Sequence, residues 1–351
     1  MSNQTCTETE PIPSVDRHGH LICEPGATIT DRYRIVRKLG KGSFSRVVEV
    51  TDTKTESTVA LKVSRNKSSC RKAAKREIMF LGYIARCDPD DTSLCAKMRD
   101  AFLWHGHYCI TFDILGSDVY HFLELNEFVP FPMDQVRHMA YQLCHAVNFL
   151  HQQGIIHTDL KTDNILFVDS SYTKEYHPEK KMNIRSVNRT DIRLIDLGCA
   201  EDDELPQSYT ISNRCYRAPE VVLKNNWSHP VDVWSIGCIL YELHTGNLLF
   251  NTDDDDLEHL AIMERILGEF PVAGEHKYFP NGKLNFDWTQ RPLEVHCHQP
   301  LRTSIKAEID DDLIDLMEKM LAYEPAKRIT LKEALTHPFF DKLPASQRLT
   351  V

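Results

Sequence analysis

The sequence predicts an α+β protein of two lobes, a small β-rich lobe followed by a larger, mainly helical one. Three observations carry this. The 351 residues allow about two domains at ~100–200 residues each. Strand-like runs are concentrated between Arg32 and Leu115, and helical spacing takes over after Gly116. Residues 1–32 are polar, carry Pro11, Pro13 and Pro25, and are expected to form a flexible extension. The runs RYRIVRKLG and SRVVEV flank a glycine-containing turn, VALKV comes next, and HYCITFDIL is a later β-rich run. One helix is expected between them, at about 69–84. Beyond Gly116, Val136, Ala140, Leu143, Val147 and Leu150 keep a helical rhythm and predict a long buried helix. Further helices are expected at 230–245, 257–267, 311–321 and 331–335. The mixed-charge stretch between Asn164 and Asp196 predicts a hairpin insertion.

Composition removes several classes of function. Hydrophobic residues make up 42% and charged residues 26%, values of a globular chain. Acidic residues number 51 against 41 basic ones, for a net charge of -10. No cationic footprint for a phosphate backbone is present, so direct nucleic-acid binding is not expected; a basic partner is. The first residues, MSNQTCTETEPIPS, lack the basic start and apolar core of a secretory signal. No apolar run approaches the ~18 residues of a membrane span, and Val233–Leu243, broken by Ser235, Gly237 and Glu242, reads as a buried helix. The 11 cysteines form no C-x-x-C pair, which favours free thiols in a reducing compartment. His296, Cys297 and His298 lack a second ligand pair at suitable spacing, which argues against a zinc module.

Chemistry-bearing residues recur in order. Gly40-Lys41-Gly42-Ser43-Phe44-Ser45-Arg46-Val47 is a turn whose two glycines permit close approach to phosphates; alone it would read equally as an ordinary hairpin. Lys62 sits on the apolar strand Val59-Ala60-Leu61-Lys62. It is either an edge lysine snorkelling to water or a phosphate-binding lysine held by Glu77, 15 residues later. The segment His157-Thr158-Asp159-Leu160-Lys161-Thr162-Asp163-Asn164 is the decisive one. Asp159 can accept a proton from an attacking hydroxyl. Lys161 can balance charge on a transferring phosphoryl group. Asn164 offers a hard oxygen for magnesium, and Asp196, in Asp196-Leu197-Gly198, a second and charged one. Any one of these could be a polar loop residue; the ordered set points to phosphoryl transfer.

This set resembles that of eukaryotic protein kinases, in order from about Tyr33 to Phe340. Tyr216-Arg217-Ala218-Pro219-Glu220 resembles the group of cyclin-dependent, mitogen-activated, DYRK and CLK kinases. Glu258-His259-Leu260-Ala261-Ile262-Met263-Glu264-Arg265-Ile266-Leu267-Gly268 resembles the EHLAMMERILG signature of LAMMER (CLK) kinases with one change, Ile262. The same helix would also read as core packing. His157-Thr158-Asp159-Leu160-Lys161 and the hinge Phe112-Asp113-Ile114-Leu115-Gly116 are similar to that family too. Three positions depart from the common pattern: Ser45 for a glycine, Leu197 for Phe, and Asn213 where kinases usually carry a Thr facing the catalytic Asp.

The resemblance implies a bilobal protein kinase fold with a kinase domain at 33–340, its N-lobe and hinge at 33–115 and its C-lobe at 116–340, and a short tail at 341–351. It implies ATP as substrate and Mg2+ as cofactor. ATP would be held by Leu39, Gly40, Gly42, Val47, Ala60, Lys62, Glu77, Asp113, Leu115 and Leu166. Asp159 and Lys161 would be catalytic, and Asn164 and Asp196 would be metal ligands. It pairs Glu220 with Arg328 and has Asp232 hold the catalytic loop. Acceptors would be Ser or Thr, and Tyr as well, in Arg/Ser-rich proteins such as splicing factors. The protein would be monomeric and nuclear, or shared between nucleus and cytoplasm. The acidic runs Glu201–Glu204 and Asp253–Asp256 are either solvated loops or attractors of cationic peptides. A pseudokinase scaffold of the same fold is the competing reading, supported by Ser45, Asn213 and the lack of a long Arg/Ser-rich amino-terminal region.

Overall fold

The computed structural model describes residues 14–178, 180–204, 208–252, 255–271, 276–290, 299–305 and 310–349. The chain forms two compact units, Met1–Asp91 with Ala96–Ile114 and Thr92–Cys95 with Leu115–Val351.

The first unit is built on one antiparallel sheet. Its strands are β1 (Thr28–Ile29), β2 (Tyr33–Lys41), β3 (Ser45–Asp52), β4 (Ser57–Ser64), β5 (Met98–Trp104) and β6 (His107–Phe112), in the spatial order β1-β2-β3-β4-β6-β5. Strand alternation sorts the side chains. Val48, Val50, Val59, Leu61 and Val63 lie on one face, in a buried cluster with Tyr33, Ile35 and Cys109. Ala60 and Lys62 therefore fall on the other. Helix α1 (Ser68–Cys87) packs on β4, β5 and β6 and buries Cys70, Ala74, Glu77, Leu81 and Ile84, three and four residues apart. That spacing brings Glu77 onto the sheet.

The stretch before Tyr33 departs from expectation. From Ser14 onward it is folded against the sheet. Val15 pairs with Leu21, β1 pairs with β2, and Leu21, Cys23 and Ile29 are buried in the cluster above. Three apolar side chains so placed contribute enough transfer free energy to order a short segment, at about 1.5–3 kcal/mol for each fully buried large one. For residues 14–32 the expectation of a flexible extension does not hold, because those residues keep no helical or strand period that would reveal their burial; residues 1–13 lie outside the described ones.

The second unit is mainly helical: α2 (Val119–Leu125), α3 (Met133–Gln152), α4 (Pro219–Val222), α5 (Pro230–Thr245), α6 (Asp256–Leu267), α7 (Leu301–Ser304), α8 (Asp311–Met320) and α9 (Leu331–Ala334). Helices α3 and α5 form the centre and are buried on nearly all sides, which is why α5 reads as an apolar run. Gly246 ends α5 at φ 71°, and a Cβ there would lie 1.8 Å from the Phe128 carbonyl oxygen, so only glycine fits. The insertion is a hairpin of β9 (Tyr172–His177) and β10 (Met182–Val187). Asn126 fastens it by exchanging two hydrogen bonds with the Arg185 backbone. His296, Cys297 and His298 lie outside the described residues. All 9 described cysteines are free thiols. Among the described residues no helix is long and apolar enough to cross a membrane.

Candidate active site

The first unit carries a glycine-containing loop and a largely buried ion pair. Gly40 stands opposite Val47 and Lys41 opposite Arg46, and Gly42 donates its N–H to the Ser45 carbonyl at 2.9 Å, closing the turn. Leu39, Gly40 and Gly42 are exposed, Val47 is half-buried and Ala60 is buried. Lys62 Nζ donates to Glu77 Oε1 at 2.7 Å, so this lysine is held by a carboxylate and does not snorkel. Asp113, at the unit's end, pairs with Arg99 at 2.5 Å through its side chain.

The second unit carries a buried loop and the residues that fix it. A two-residue strand, β7 (Ile155–Ile156), leads into the loop His157–Asn164, and Asp232 in the first turn of α5 fixes the start of that loop. Its carboxylate accepts the N–H of His157 at 2.8 Å and of Thr158 at 2.9 Å, and meets the His151 ring at 3.0 Å. Burial pushes the Asp232 carboxyl upward. The His151 hydrogen bond and nearby rings outweigh burial and leave it below its ordinary value. The His157 ring accepts the Asp159 N–H at Nδ1 (3.3 Å), which leaves Nε2 to donate to the Ile195 carbonyl (3.1 Å). One imidazole thus ties the loop to the strand before Asp196.

Asp159 lies in this cradle with Lys161 Nζ 3.8 Å from Oδ2. Burial, with a smaller contribution from the neighbouring Asp196, raises its carboxyl; Lys161, His157 and Asn164 oppose the rise. The Asn164 amide nitrogen donates to the Asp159 carbonyl at 2.8 Å and approaches Oδ2 at 3.4 Å. An amide oriented by its donors presents its oxygen elsewhere, and the Ile195 N–H bonded to the Asn164 carbonyl (3.0 Å) brings the chain of Asp196 alongside. Asp196 adopts φ 65° and accepts the Gly198 N–H at 3.2 Å. Two hard oxygen donors, one charged, suit Mg2+, which keeps its remaining sites for water and phosphate oxygens. Among the described residues no three His, Cys, Asp or Glu side chains form a metal cage. Leu166, between buried Ile165 and Phe167 on β8 (Ile165–Phe167), turns to the opposite, partly open face, and Leu115 is half-buried.

Further contacts support the loop. Arg328 clasps Glu220 in a buried two-pronged pair at 2.7 and 2.9 Å. Thr158, at φ 66°, donates its hydroxyl to the Cys199 carbonyl, and Ser212 donates to the Thr158 carbonyl, both at 2.7 Å. Asn213 does not turn its oxygen to Asp159; it accepts the Cys215 N–H at 3.2 Å and caps a short 3-10 turn.

The first acidic run is engaged within the fold only in part, with Asp202 and Glu204 exposed. Glu201–Asp202 (β12) pairs with β7, and Asp203 accepts from Ser228 Oγ at 2.6 Å and meets the His229 ring at 2.9 Å. In the second, Asp253 and Asp254 lie outside the described residues, Asp255 caps α6, and Asp256 pairs with Arg214 at 3.0 Å. A different acidic group stands in the interior. Glu242, in the last turn of α5, accepts from the Tyr216 hydroxyl at 2.6 Å and from Thr162 at 3.2 Å. Burial raises its carboxyl to about 7, with Asp163 adding to the rise. Asp163 also bears on Asp118, whose carboxyl is raised mainly by burial. Sequence reasoning does not single out this group, although Glu242 interrupting an apolar helix is a visible signal.

Comparison with known proteins agrees with the geometry. The protein kinase domain family matches residues 33–340. The serine/threonine-protein kinase Doa of Drosophila melanogaster is 49% identical over 97% of this chain, which spans 42% of that protein's length. The human dual specificity protein kinases CLK2 and CLK1 are 48% and 45% identical, each over 94% of this chain and 68% and 70% of their own lengths. The crystal structure of a kinase domain, 30% identical, superposes with a TM-score of 0.83 over 93% of this chain and all of that one. The chain has the protein kinase fold and belongs to the protein kinase family, in its LAMMER (CLK) group.

Proposed function

We propose that this chain transfers the γ-phosphoryl group of ATP to hydroxyl groups of Arg/Ser-rich proteins such as splicing factors, acting on Ser and Thr and also on Tyr. The observation that carries this reading is the Asp159–Lys161–Asn164 cluster, held by Asp232 and His157 in a buried loop. Asp159 orients the acceptor hydroxyl and takes its proton, and the upward shift of its carboxyl makes it a better base near neutral pH. Lys161 offsets charge on the group in flight. Lys62, aimed by Glu77, holds the α- and β-phosphates. Gly40 and Gly42 cover them, Leu39, Val47, Ala60 and Leu166 enclose the base, and the backbone of Asp113 and Leu115 hydrogen-bonds it. Asn164 and Asp196 hold Mg2+, which when bound neutralises phosphate charge. The kinase domain is 33–340, the protein acts as a monomer, and it works in the nucleus or between nucleus and cytoplasm.

The arginine preference is better supported by Glu242, Asp163 and Asp118 than by the acidic runs. Asp203 is engaged within the fold, whereas among the described residues the donors to Glu242 are the neutral hydroxyls of Tyr216 and Thr162. A guanidinium brought near would draw off the Glu242 proton and gain a charged partner. A radiolabelled-ATP assay with an Arg/Ser-repeat peptide tests the function. Asp159→Asn should lower kcat by about 10²–10⁴-fold, as loss of a general base does. Absence of transfer by the wild-type chain would leave the scaffold reading. An acidic or proline-directed peptide that matches the Arg/Ser peptide in kcat/KM would overturn the substrate class alone.

A further inference from the structure

The folded segment ahead of β2 makes a connection that no part of the kinase reading uses. Its first residues form a tight hairpin. Ile22 donates to the Ser14 carbonyl, Asp16 to the His20 carbonyl and Gly19 to the Asp16 carbonyl. The Asp16 carboxylate accepts the N–H groups of His18 (2.9 Å) and His20 (3.0 Å), fixing the turn. Buried Leu21 and Cys23 anchor its base in the sheet's core cluster. The turn is placed by the core and not by its own charges.

Arg65, just after β4, joins this turn to the glycine loop. Nε and Nη2 of its guanidinium donate to the His18 carbonyl at 2.8 and 2.6 Å, and Nη1 donates to the Ser43 carbonyl at 2.6 Å. Its backbone N–H donates to the Phe44 carbonyl at 2.8 Å, and the next N–H, of Asn66, donates to the Gly19 carbonyl at 3.0 Å. Asp16 reaches the same loop from the other side, 3.4 Å from Lys41 Nζ. Five donors from Arg65 and Asn66, with the Asp16–Lys41 and Asp16–Arg46 ion pairs, thus bridge a hairpin and a loop that are otherwise exposed. Ser43 and Phe44 form the tip of the Gly40–Ser45 turn, and two of their carbonyls are spent on this one residue.

We propose that the hairpin at Ser14–Ile22 is a brace for the nucleotide-covering loop, with Arg65 as the positioning residue through which it acts. A loop that carries two glycines samples many backbone states. Tying its tip to a segment fixed by Leu21 and Cys23 narrows that sampling before nucleotide arrives. A pre-ordered loop raises the fraction of molecules competent to bind, and apparent affinity scales with that fraction. Ser45, where the common pattern has a third glycine, removes freedom from the same turn. Arg65 touches no expected reacting atom, so its effect falls on ATP binding and not on the transfer step or the acceptor peptide.

This inference rests on the assignment of Gly40–Ser45 as the ATP-covering loop. The test compares wild type with Arg65→Ala and Arg65→Lys. Arg65→Ala should raise KM for ATP about three- to tenfold by lowering the competent fraction, with kcat and peptide KM within about twofold of wild type. Arg65→Lys, whose ammonium reaches one carbonyl where the fork reaches two, should fall between. Without nucleotide, amide hydrogen exchange at 40–45 should speed up in Arg65→Ala while that of β3 and β4 stays unchanged. A merely structural loss would shift both KM values and the exchange of the whole sheet, and would overturn the proposal, as would an unchanged KM for ATP. Asp16→Asn keeps the turn's caps and removes the charge that faces Lys41 and Arg46. An effect as large as that of Arg65→Ala would overturn the assignment to Arg65. Failure of the underlying kinase reading looks different: the wild-type chain would transfer nothing, while the exchange difference at 40–45 would persist.

Discussion

Helix α5 carries two buried carboxylates, Asp232 in its first turn and Glu242 in its last, and the two are tuned in opposite directions. The helix dipole contributes to both, since a negative charge is favoured at the N-terminus and disfavoured at the C-terminus. Neighbours decide the rest. Asp232 receives two backbone N–H groups and a histidine, enough to keep its charge in the interior. Glu242 receives only the hydroxyls of Tyr216 and Thr162, and burial with nearby Asp163 lifts it to about 7. The difference separates a structural anchor from an acid with capacity to spare. A buried carboxylate given backbone donors keeps its charge and can hold a loop; one given hydroxyls alone keeps its proton instead.

The largest effect should come from breaking the anchor. Asp232→Ala leaves the His157 and Thr158 N–H groups buried without an acceptor and should cost about 3–5 kcal/mol. Differential scanning calorimetry should show the transition of the second unit falling while that of the first stays in place. Equal loss in both would mean that Asp232 is not local to the His157–Asn164 loop. Asp232→Asn keeps one acceptor oxygen and should cost less.

Next comes the pH response that distinguishes the two ends. The Glu242 carboxyl titrates near 7 when folded and near its ordinary 4.5 when unfolded, so the native state binds the extra proton between those values. Its contribution is fully present below about pH 4.5 and is lost as pH rises through about 7, a change of roughly 3 kcal/mol. Asp232 runs the other way: its contribution is present above its unfolded value of 3.8 and is lost as pH falls through the lower folded one. Between pH 5 and 8 only the Glu242 end responds. Tm should drop by about 5–10 °C across that range in the wild type and stay nearly flat in Glu242→Gln, whose amide still accepts from Tyr216 and Thr162. The same substitution should reduce kcat/KM for an Arg/Ser peptide by about tenfold, the worth of a charged partner, and spare a peptide without arginine. If both peptides lose equally, Glu242 is a packing residue.

The two ends were unequally legible in the sequence. Helix α5 itself was visible as an apolar run, as α3 was by its period, because burial of one element against others leaves a pattern in that element alone. Lys62 and Glu77 were legible for a similar reason: strand alternation and helical spacing each fix a face. Asp232 was identified through the resemblance. The tuning of Glu242 was not legible, since it depends on Thr162 and Tyr216, 80 and 26 residues away. The engagement of Asp203 was not legible for the same cause, its partners Ser228 and His229 lying on a later loop. Spacing shows which face a residue takes; it does not show what the facing element brings.

The smallest effect sharpens the anchored end. In most kinases an arginine before the catalytic Asp pairs with a phosphorylated activation-loop residue, and that pairing orders the segment. Here the position is Thr158, whose N–H is bonded to Asp232, whose hydroxyl is bonded to the Cys199 carbonyl and whose carbonyl receives the Ser212 hydroxyl. Each contact is made without phosphate, and Thr158 itself offers a phosphate no charge to pair with. The segment is therefore ordered by the anchor that orders the loop. Phosphatase treatment of the purified protein should change kcat by less than about threefold, a shift worth under 1 kcal/mol. A loss of tenfold or more would show that this end of the molecule also depends on a charge it lacks, and the contrast between the ends of α5 would fail. Thr158→Val, which removes only the hydroxyl, should lower activity more than phosphatase does, because it frees the Cys199 carbonyl just after Asp196.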